Sequence, residues 1–148
     1  KSALILGGGS YNPRSALVNG PSLVVARAFG EVLAHVEDMC VDSLRVSYAD
    51  LQDDSLDERI LYQLGPSPEF LPSLACFAIA KLITNQQDGS EGPLLADGTR
   101  NLFYARFSPR HRVVIIVDWY GVREQWRVRH VFLHAKQKWG RGIRVFRP

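Results

Sequence analysis

The sequence "RFSPRHRVVIIVDWYG", residues 106–121, holds an apolar run at 113–117 with basic residues on both sides. Successive side chains of a strand face opposite sides, so Val113, Ile115 and Val117 share one face. Val114 and Ile116, which alternate with them, occupy the other face. A strand that is apolar on both faces lies in the interior of a sheet. The stretch therefore predicts a central strand whose basic neighbours lie at its ends.

Further strands are predicted in the last third of the chain, and mostly helices before it. The predicted β-meander has strands at 102–107, 112–119 and 126–134 and a short edge strand at 142–146. The predicted helices are 22–39, 53–65 and 67–85, with short strands at 2–6 and 43–48. The predicted fold class is α+β, with an N-terminal, mostly helical part packed on a C-terminal antiparallel β-sheet.

Charge is distributed unevenly along the chain. The net charge is +10 from Arg100 to Pro148 and −7 over the 99 residues before it. A polar stretch, "NQQDGSEG" at 85–92, lies close to this boundary and is typical of a linker. The 148 residues are predicted to form a single domain. It consists of an acidic, mostly helical part at 1–87 and a basic β-meander at 88–148.

The basic half predicts a polyanionic partner, namely RNA, DNA or an acidic membrane surface. Two alternatives stay open: the acidic half neutralises the basic half within one chain, or halves of different copies pair in a homo-oligomer. No run of 18 or more apolar residues is present, so no transmembrane segment is expected. We recognise no signal peptide, and only two cysteines are present, which favours a cytoplasmic location.

Arginines and aromatic residues are interleaved in the predicted meander, a combination suited to single-stranded RNA. Four arginines would gather at one end of the sheet if the strand register allows it. They are Arg106, Arg112, Arg127 and Arg129. The alternative is a solvated arginine face over buried aromatic side chains. The candidate nucleic-acid-binding residues are Tyr104, Arg110, Trp126, Arg127, Arg129, Lys138 and Arg141.

The stretch "HVFLHAKQK" at 130–138 supplies groups for acid–base chemistry. His130 and His134 lie about 13 Å apart on a strand, which is too far to share a metal ion. A histidine beside basic residues can instead move a proton while the cations hold a phosphate. Such groups allow RNA cleavage by attack of the 2′-OH on the adjacent phosphorus, without a metal or a cofactor. The candidate catalytic residues are Arg106, Arg112, His134 and Lys136.

The basic half resembles the RelE/HigB-like toxins, which are ribosome-dependent mRNA endonucleases. The resemblance covers residues 70–140, in the order helix, linker and three strands. "YARF" at 104–107 is similar to the first-strand motif "yELRf", and "HVFLHAKQK" is similar to the closing strand "LhgFvKK". The matching basic positions are Arg106, Arg112, Lys136 and Lys138. The resemblance implies an mRNA endonuclease with a cognate antitoxin as a partner.

The stretch "ALILGGGSYNP" at 3–13 resembles the strand and turn, "GGSFNP", that open the nucleotidylyltransferases. The HxGH motif of that family does not follow, because the first histidine is His35. The resemblance therefore implies only a glycine-rich turn that lets the backbone approach a phosphate. A degenerate nucleotide-binding fold is the third hypothesis.

The first hypothesis is a small RNA-directed protein, a metal-free endoribonuclease of toxin type. Arg106 and Arg112 would hold the scissile phosphate, and His134 or Lys136 would move the proton. The second hypothesis is a non-enzymatic nucleic-acid-binding protein, or a viral or phage structural assembly protein that oligomerises through its acidic and basic halves. The two hypotheses differ in whether the bound RNA is cut, so the sequence leaves open whether the protein is an enzyme.

Overall fold

The computed structural model describes residues 2–134 and 136–148. Its strands are β1 (Ser2–Tyr11), β2 (Leu23–Val25), β3 (Met39–Asp50), β4 (Ser55–Leu56), β5 (Asn101–Ser108), β6 (His111–Tyr120), β7 (Gln125–Phe132), β8 (Lys138–Trp139) and β9 (Arg144–Arg147). Its helices are α1 (Pro13–Ala16), α2 (Arg27–Leu33), α3 (Asp57–Leu64) and α4 (Pro72–Asn85).

The main sheet has seven strands in the order β1-β3-β9-β5-β6-β7-β2, and β4 pairs with β8 in a separate small sheet. Neighbouring strands of the main sheet are antiparallel except at two places. β9 runs parallel to β5, and β2 runs parallel to β7. The sheet is therefore mixed, and β1 and β2 are its edges.

The prediction of a mostly helical N-terminal part is wrong. The structure is mostly sheet, with 41% strand and 23% helix, and the first element described is a strand. The predicted helix at 22–39 is divided among β2, the seven-residue α2 and the start of β3. Val25, Phe29 and Val36 have helical spacing and are all buried in one core. The spacing thus reflected a buried face and not a continuous helix.

The glycines at 7–9, predicted to form a turn, continue β1 along β3. A side chain at Gly8 would overlap the backbone oxygen atoms of Val41 and Asp42. Glycine is therefore required at this position because the two strands approach each other closely. The predicted strand at 2–6 accordingly extends to Tyr11.

The meander prediction is correct for three strands and wrong for the fourth. β5, β6 and β7 are consecutive antiparallel neighbours, as expected. The predicted edge strand at 142–146 corresponds to β9, which lies in the interior between β3 and β5. Val145 and Phe146 of β9 are buried in different cores, which requires a strand covered on both faces.

Two apolar cores lie on opposite faces of the sheet. Val113, Ile115 and Val117 belong to a core that includes α2 and α4. Val114 and Ile116 belong to a second core that includes residues of α3 and β8. We call the sheet face of the second core the α3 face. The predicted central strand at 112–119 is therefore confirmed as buried on both sides.

Helix α4 is the longest helix described and is buried along most of its 14 residues. It begins at Pro72, where a missing N–H costs nothing because the first turn has no intrahelical acceptors. Among the residues described, no helix has both the length and the apolar character needed to cross a membrane.

Candidate functional site

Two of the predicted catalytic arginines lie side by side on the α3 face and share one carboxylate. Arg106 and Arg112 are opposite each other in the β5–β6 pair. Glu69 Oε1 accepts hydrogen bonds from Arg106 Nε at 3.1 Å and Arg112 Nη2 at 3.2 Å, and Oε2 accepts one from Arg112 Nε at 2.8 Å. The Glu69 side chain is only 8% exposed. This carboxylate orients both guanidinium groups and cancels one of their two charges.

A second buried carboxylate, Asp57, connects four elements. Its Oδ1 accepts hydrogen bonds from the Tyr104 hydroxyl and from Trp139 Nε1, both at 2.6 Å. Its Oδ2 accepts a hydrogen bond from the backbone N–H of His134 at 3.3 Å. Burial, followed by the hydrogen bond to Asp57, raises the pKa of Tyr104, so the phenol remains a donor. Asp57 thus joins the start of α3 to β5, to β8 and to the segment after β7.

A cleft of about 330 Å³ opens beside this carboxylate. Its lining residues are Asp57, Glu58, Leu61, Arg112, Leu133 and His134. Two predicted catalytic residues, Arg112 and His134, therefore line one cleft. The Leu133 N–H donates a hydrogen bond to the Arg112 carbonyl at 3.1 Å, which holds the end of β7 against the start of β6. Glu58 adds an exposed carboxylate to the Arg112 guanidinium and the His134 imidazole that line this cleft.

The His134 side chain is held by its own segment. Its Nδ1 accepts a hydrogen bond from the backbone N–H of Lys136 at 3.1 Å. An acceptor role for Nδ1 places the proton of the neutral ring on Nε2. The exposed imidazole therefore offers an N–H donor. Both residues follow β7, which ends at Phe132, two positions before the predicted end of the strand.

The four arginines predicted at one end of the sheet do not gather there. Arg127 is opposite Asp118 and Arg129 is opposite Ile116, towards the other end of β6 from Arg112. The six residues from Arg112 to Asp118 span about 20 Å of strand. The register therefore divides the arginines into two groups on the α3 face.

Two aromatic residues predicted to bind nucleic acid are fully buried. Tyr104 and Trp126 are both 0% exposed. The Trp126 indole N–H donates a hydrogen bond to the Gln86 carbonyl at 2.7 Å. Neither ring is available to stack on a base, because each is covered by the core and holds an internal hydrogen bond.

The other predicted nucleic-acid-binding cations are exposed and lie on different elements. Arg110 is in the turn between β5 and β6, Lys138 is in β8, and Arg141 follows β8. The backbone N–H of Arg141 donates a hydrogen bond to Asp54 Oδ1 at 3.0 Å. These positions are accessible to a polyanion.

His130 and His134 lie in different environments. The His130 ring packs between Phe29 and Phe132, with centroids 5.6 and 5.7 Å away. Its Nδ1 is buried without a hydrogen-bond partner among the described residues, and burial lowers the pKa of His130. No group of three or more His, Cys, Asp or Glu side chains in residues 2–134 and 136–148 could hold a metal ion.

Sequence reasoning missed the acidic partners of the site. Asp57 and Glu58 begin an amphipathic helix, where acidic residues are favoured by the helix dipole, and this signal was available. Glu69 precedes Phe70, whose backbone binds β5 through Tyr104 O at 2.8 Å and Arg106 N at 3.1 Å. That pairing brings Glu69 next to the arginines, and only the tertiary structure shows it.

Comparisons with protein-family models, with curated proteins and with solved structures found no match to this chain. The resemblance to the RelE/HigB-like toxins therefore stays a prediction. The functional argument depends on the geometry of the cleft and on the charges around it.

Proposed function

We propose that the protein is an RNA-directed, metal-free endoribonuclease whose catalytic site is the cleft beside Asp57. The observation that carries this proposal is that Arg112, His134 and Glu58 line the same cleft. A cation, an imidazole donor and a carboxylate are the groups needed for acid–base cleavage of a phosphodiester.

In the proposed reaction Glu58 accepts the proton of the 2′-OH while the 2′-oxygen forms a bond to phosphorus. Arg112 and His134 Nε2–H donate hydrogen bonds to the phosphoryl oxygens, where negative charge develops. The bond from phosphorus to the 5′-oxygen breaks, and that oxygen takes a proton from the ammonium group of Lys136. Lys136 is outside the cleft lining, but its backbone N–H binds His134 Nδ1, which places this exposed lysine next to the cleft. The products are a 2′,3′-cyclic phosphate and a 5′-hydroxyl, and Glu58 and Lys136 then exchange protons with water.

Glu69 and Arg106 act as positioning residues in this scheme. Arg106 is absent from the cleft lining but shares the Glu69 carboxylate with Arg112. The shared carboxylate holds Nε and Nη2 of Arg112 and leaves Nη1 without a partner among the described residues. A fixed guanidinium binds phosphate with little loss of side-chain freedom.

The test is cleavage of single-stranded RNA in EDTA, analysed on a denaturing gel, with and without ribosomes. We expect cut RNA ending in a cyclic phosphate, and intact 2′-O-methyl RNA of the same sequence. Arg112→Ala and Glu58→Gln should each slow cleavage by about 10²-fold or more. Arg45→Gln is the matched control, since Arg45 is an exposed arginine on β3, which β9 and β5 separate from β6 in the sheet.

Circular dichroism and urea unfolding establish that each variant is folded. Undiminished cleavage by folded Arg112→Ala protein would exclude this cleft as the catalytic site. Cleavage that is lost in EDTA and restored by a divalent cation would exclude the metal-free reaction.

A second candidate is a nucleic-acid-binding protein that does not cut RNA. The observation that favours it is that three exposed cations, Arg110, Lys138 and Arg141, lie outside the cleft lining and are accessible to a polyanion. Fluorescence anisotropy over a salt series, followed by a gel of the same samples, separates the two candidates. Salt-sensitive binding with intact RNA in both the presence and absence of ribosomes supports the second.

The partners and the compartment follow from these proposals. The toxin resemblance implies a cognate antitoxin, and an mRNA substrate is consistent with the cytoplasm. A homo-oligomer held by acidic and basic halves belongs to the second candidate, in its structural-assembly form. Light scattering should then show multimers that dissociate as salt rises.

A further inference from the structure

Three arginines that the proposed reaction does not use lie near one another on the α3 face. Arg127 and Arg129 share one face of β7, and Arg100 directly precedes β5. The positive charges of Arg100 and Arg127 and the negative charge of Asp118 all act on the Arg129 guanidinium. We call Arg100, Arg127 and Arg129 the Arg129 cluster.

The Arg129 cluster has more positive charge than its surroundings balance. Asp118 binds Arg127 through both oxygens, Oδ1 to Nε at 3.1 Å and Oδ2 to Nη2 at 2.9 Å. The guanidinium groups of Arg129 and Arg100 have no carboxylate partner in the part of the chain that the structure describes. Arg100 lies over the Trp139 ring at 5.9 Å, which orients the cation but leaves its charge.

The Arg129 side chain is partly buried in this positive surrounding. Burial, and then the charge of Arg100, lower the pKa of Arg129. A partly buried cation with two arginines and one carboxylate nearby has excess positive charge around it, so it is stabilised when an anion binds to it. Phosphate oxygens match the planar donors of a guanidinium group.

The Arg129 cluster and the catalytic cleft lie on the same face of the sheet. Arg129 is opposite Ile116, which is four residues along β6 from Arg112. Four residues of strand correspond to about 13 Å. One extended nucleic-acid strand can therefore contact the cleft and the Arg129 cluster together.

We propose that the Arg129 cluster binds a backbone phosphate of the RNA strand whose scissile phosphate lies in the cleft. This inference rests on the proposed function, because RNA is the ligand in both. The nearby rings favour phosphate over base contacts, since Arg127 covers Tyr120 at 4.6 Å and Trp139 is buried. Binding at this subsite is accordingly independent of base sequence.

The test uses a fluorescent 2′-O-methyl RNA, which binds but lacks the attacking hydroxyl. Affinity is measured over a salt series for the wild type, Arg129→Gln, Arg100→Gln and the control Arg45→Gln. Removal of one phosphate contact lowers the slope of log affinity against log salt by about 0.7 for a single strand. We expect that change, with weaker binding, in the Arg129 and Arg100 variants and no change in the control. Two cluster variants keep the test decisive if one of them unfolds.

Cleavage of unmodified RNA by the same proteins separates the two proposals. A lower slope in the cluster variants, without cleavage by the wild type, supports the subsite and overturns the endoribonuclease. Cleavage by the wild type, with both cluster variants indistinguishable from Arg45→Gln in slope, overturns the subsite and leaves the endoribonuclease. Failure of the wild type to bind RNA at low salt overturns both.

Discussion

Replacement of the buried Asp57 should destabilise the protein strongly. In Asp57→Ala the Tyr104 hydroxyl and the Trp139 indole N–H both lose their acceptor in the core. Each unsatisfied buried donor costs about 1–3 kcal/mol, so the expected loss in free energy of unfolding is about 2–6 kcal/mol. Total stability is typically about 5–15 kcal/mol, so this variant lies near the limit of folding.

The milder variant Asp57→Asn separates charge from shape. It keeps an acceptor oxygen but replaces two charge-assisted hydrogen bonds by neutral ones, a loss of about 2 kcal/mol. In the wild type, the backbone N–H of His134 donates a hydrogen bond to Asp57 Oδ2 at 3.3 Å. In the variant this N–H faces the amide nitrogen of the new side chain, which cannot accept the bond. The expected result is lower stability together with slower RNA cleavage, because the His134 segment loses its anchor.

The assay is urea unfolding followed by tryptophan fluorescence, with Asp54→Ala as the control. Asp54 is an exposed carboxylate with a hydrogen bond from Arg141 N, and its loss should cost no more than about 0.5 kcal/mol. A double-mutant cycle with Tyr104→Phe should give a coupling energy of about 0.5–3 kcal/mol. Asp57→Ala protein as stable as the control, with no coupling to Tyr104→Phe, would refute the role assigned to this carboxylate.

Three further predictions concern other parts of the molecule. Iodoacetamide at pH 8 should modify the exposed Cys40 and spare Cys76, because burial raises the pKa of the Cys76 thiol to about 12. Mass spectrometry of the labelled protein measures this, and equal labelling of the two cysteines would contradict the buried position of Cys76 in α4. Burial lowers the pKa of His130 below the ordinary histidine value of about 6.5, so as pH falls the imidazole takes up a proton in the unfolded state before it does so in the folded state. Stability should therefore decrease more steeply below pH 6.5 in the wild type than in His130→Phe, and parallel urea midpoints for the two would contradict it. Glu69→Gln should strengthen RNA binding at low salt by freeing guanidinium charge, yet slow cleavage by loosening Arg112; loss of both together would contradict its positioning role.

The alternation at 113–117 was sufficient to predict the central strand and the meander around it, because a strand buried on both faces leaves a local pattern. The position of β9 was not predictable in this way. A short strand with apolar residues can lie at an edge or in the interior, and its pairing with β3 and β5 is a long-range contact. The N-terminal helix was overpredicted because residues of β2 and α2 bury one stripe with helical spacing.

The candidate site was predicted in part. The sequence identified Arg112 and His134 from their chemistry, and the structure places them in one cleft. It gave no sign that Arg127 and Arg129 lie far along the sheet, because register depends on the turn between β6 and β7. It also gave no sign of Glu69, whose partners lie in β5 and β6.

The interior position of β9 has a consequence for how the protein assembles. In the sheet formed by residues 2–134 and 136–148, β9 lies between β3 and β5 and is the strand that joins them; Arg147 of β9 pairs with Ser47 of β3. The other strands of this sheet precede β9 in the chain. Until β9 inserts, the β1–β3 pair and the sheet of β5, β6, β7 and β2 each have an unpaired strand edge. Closure over such a large sequence separation gives a high contact order and favours slow folding. Open strand edges can pair with other chains in that interval, so the yield of folded protein depends on the arrival of one short strand.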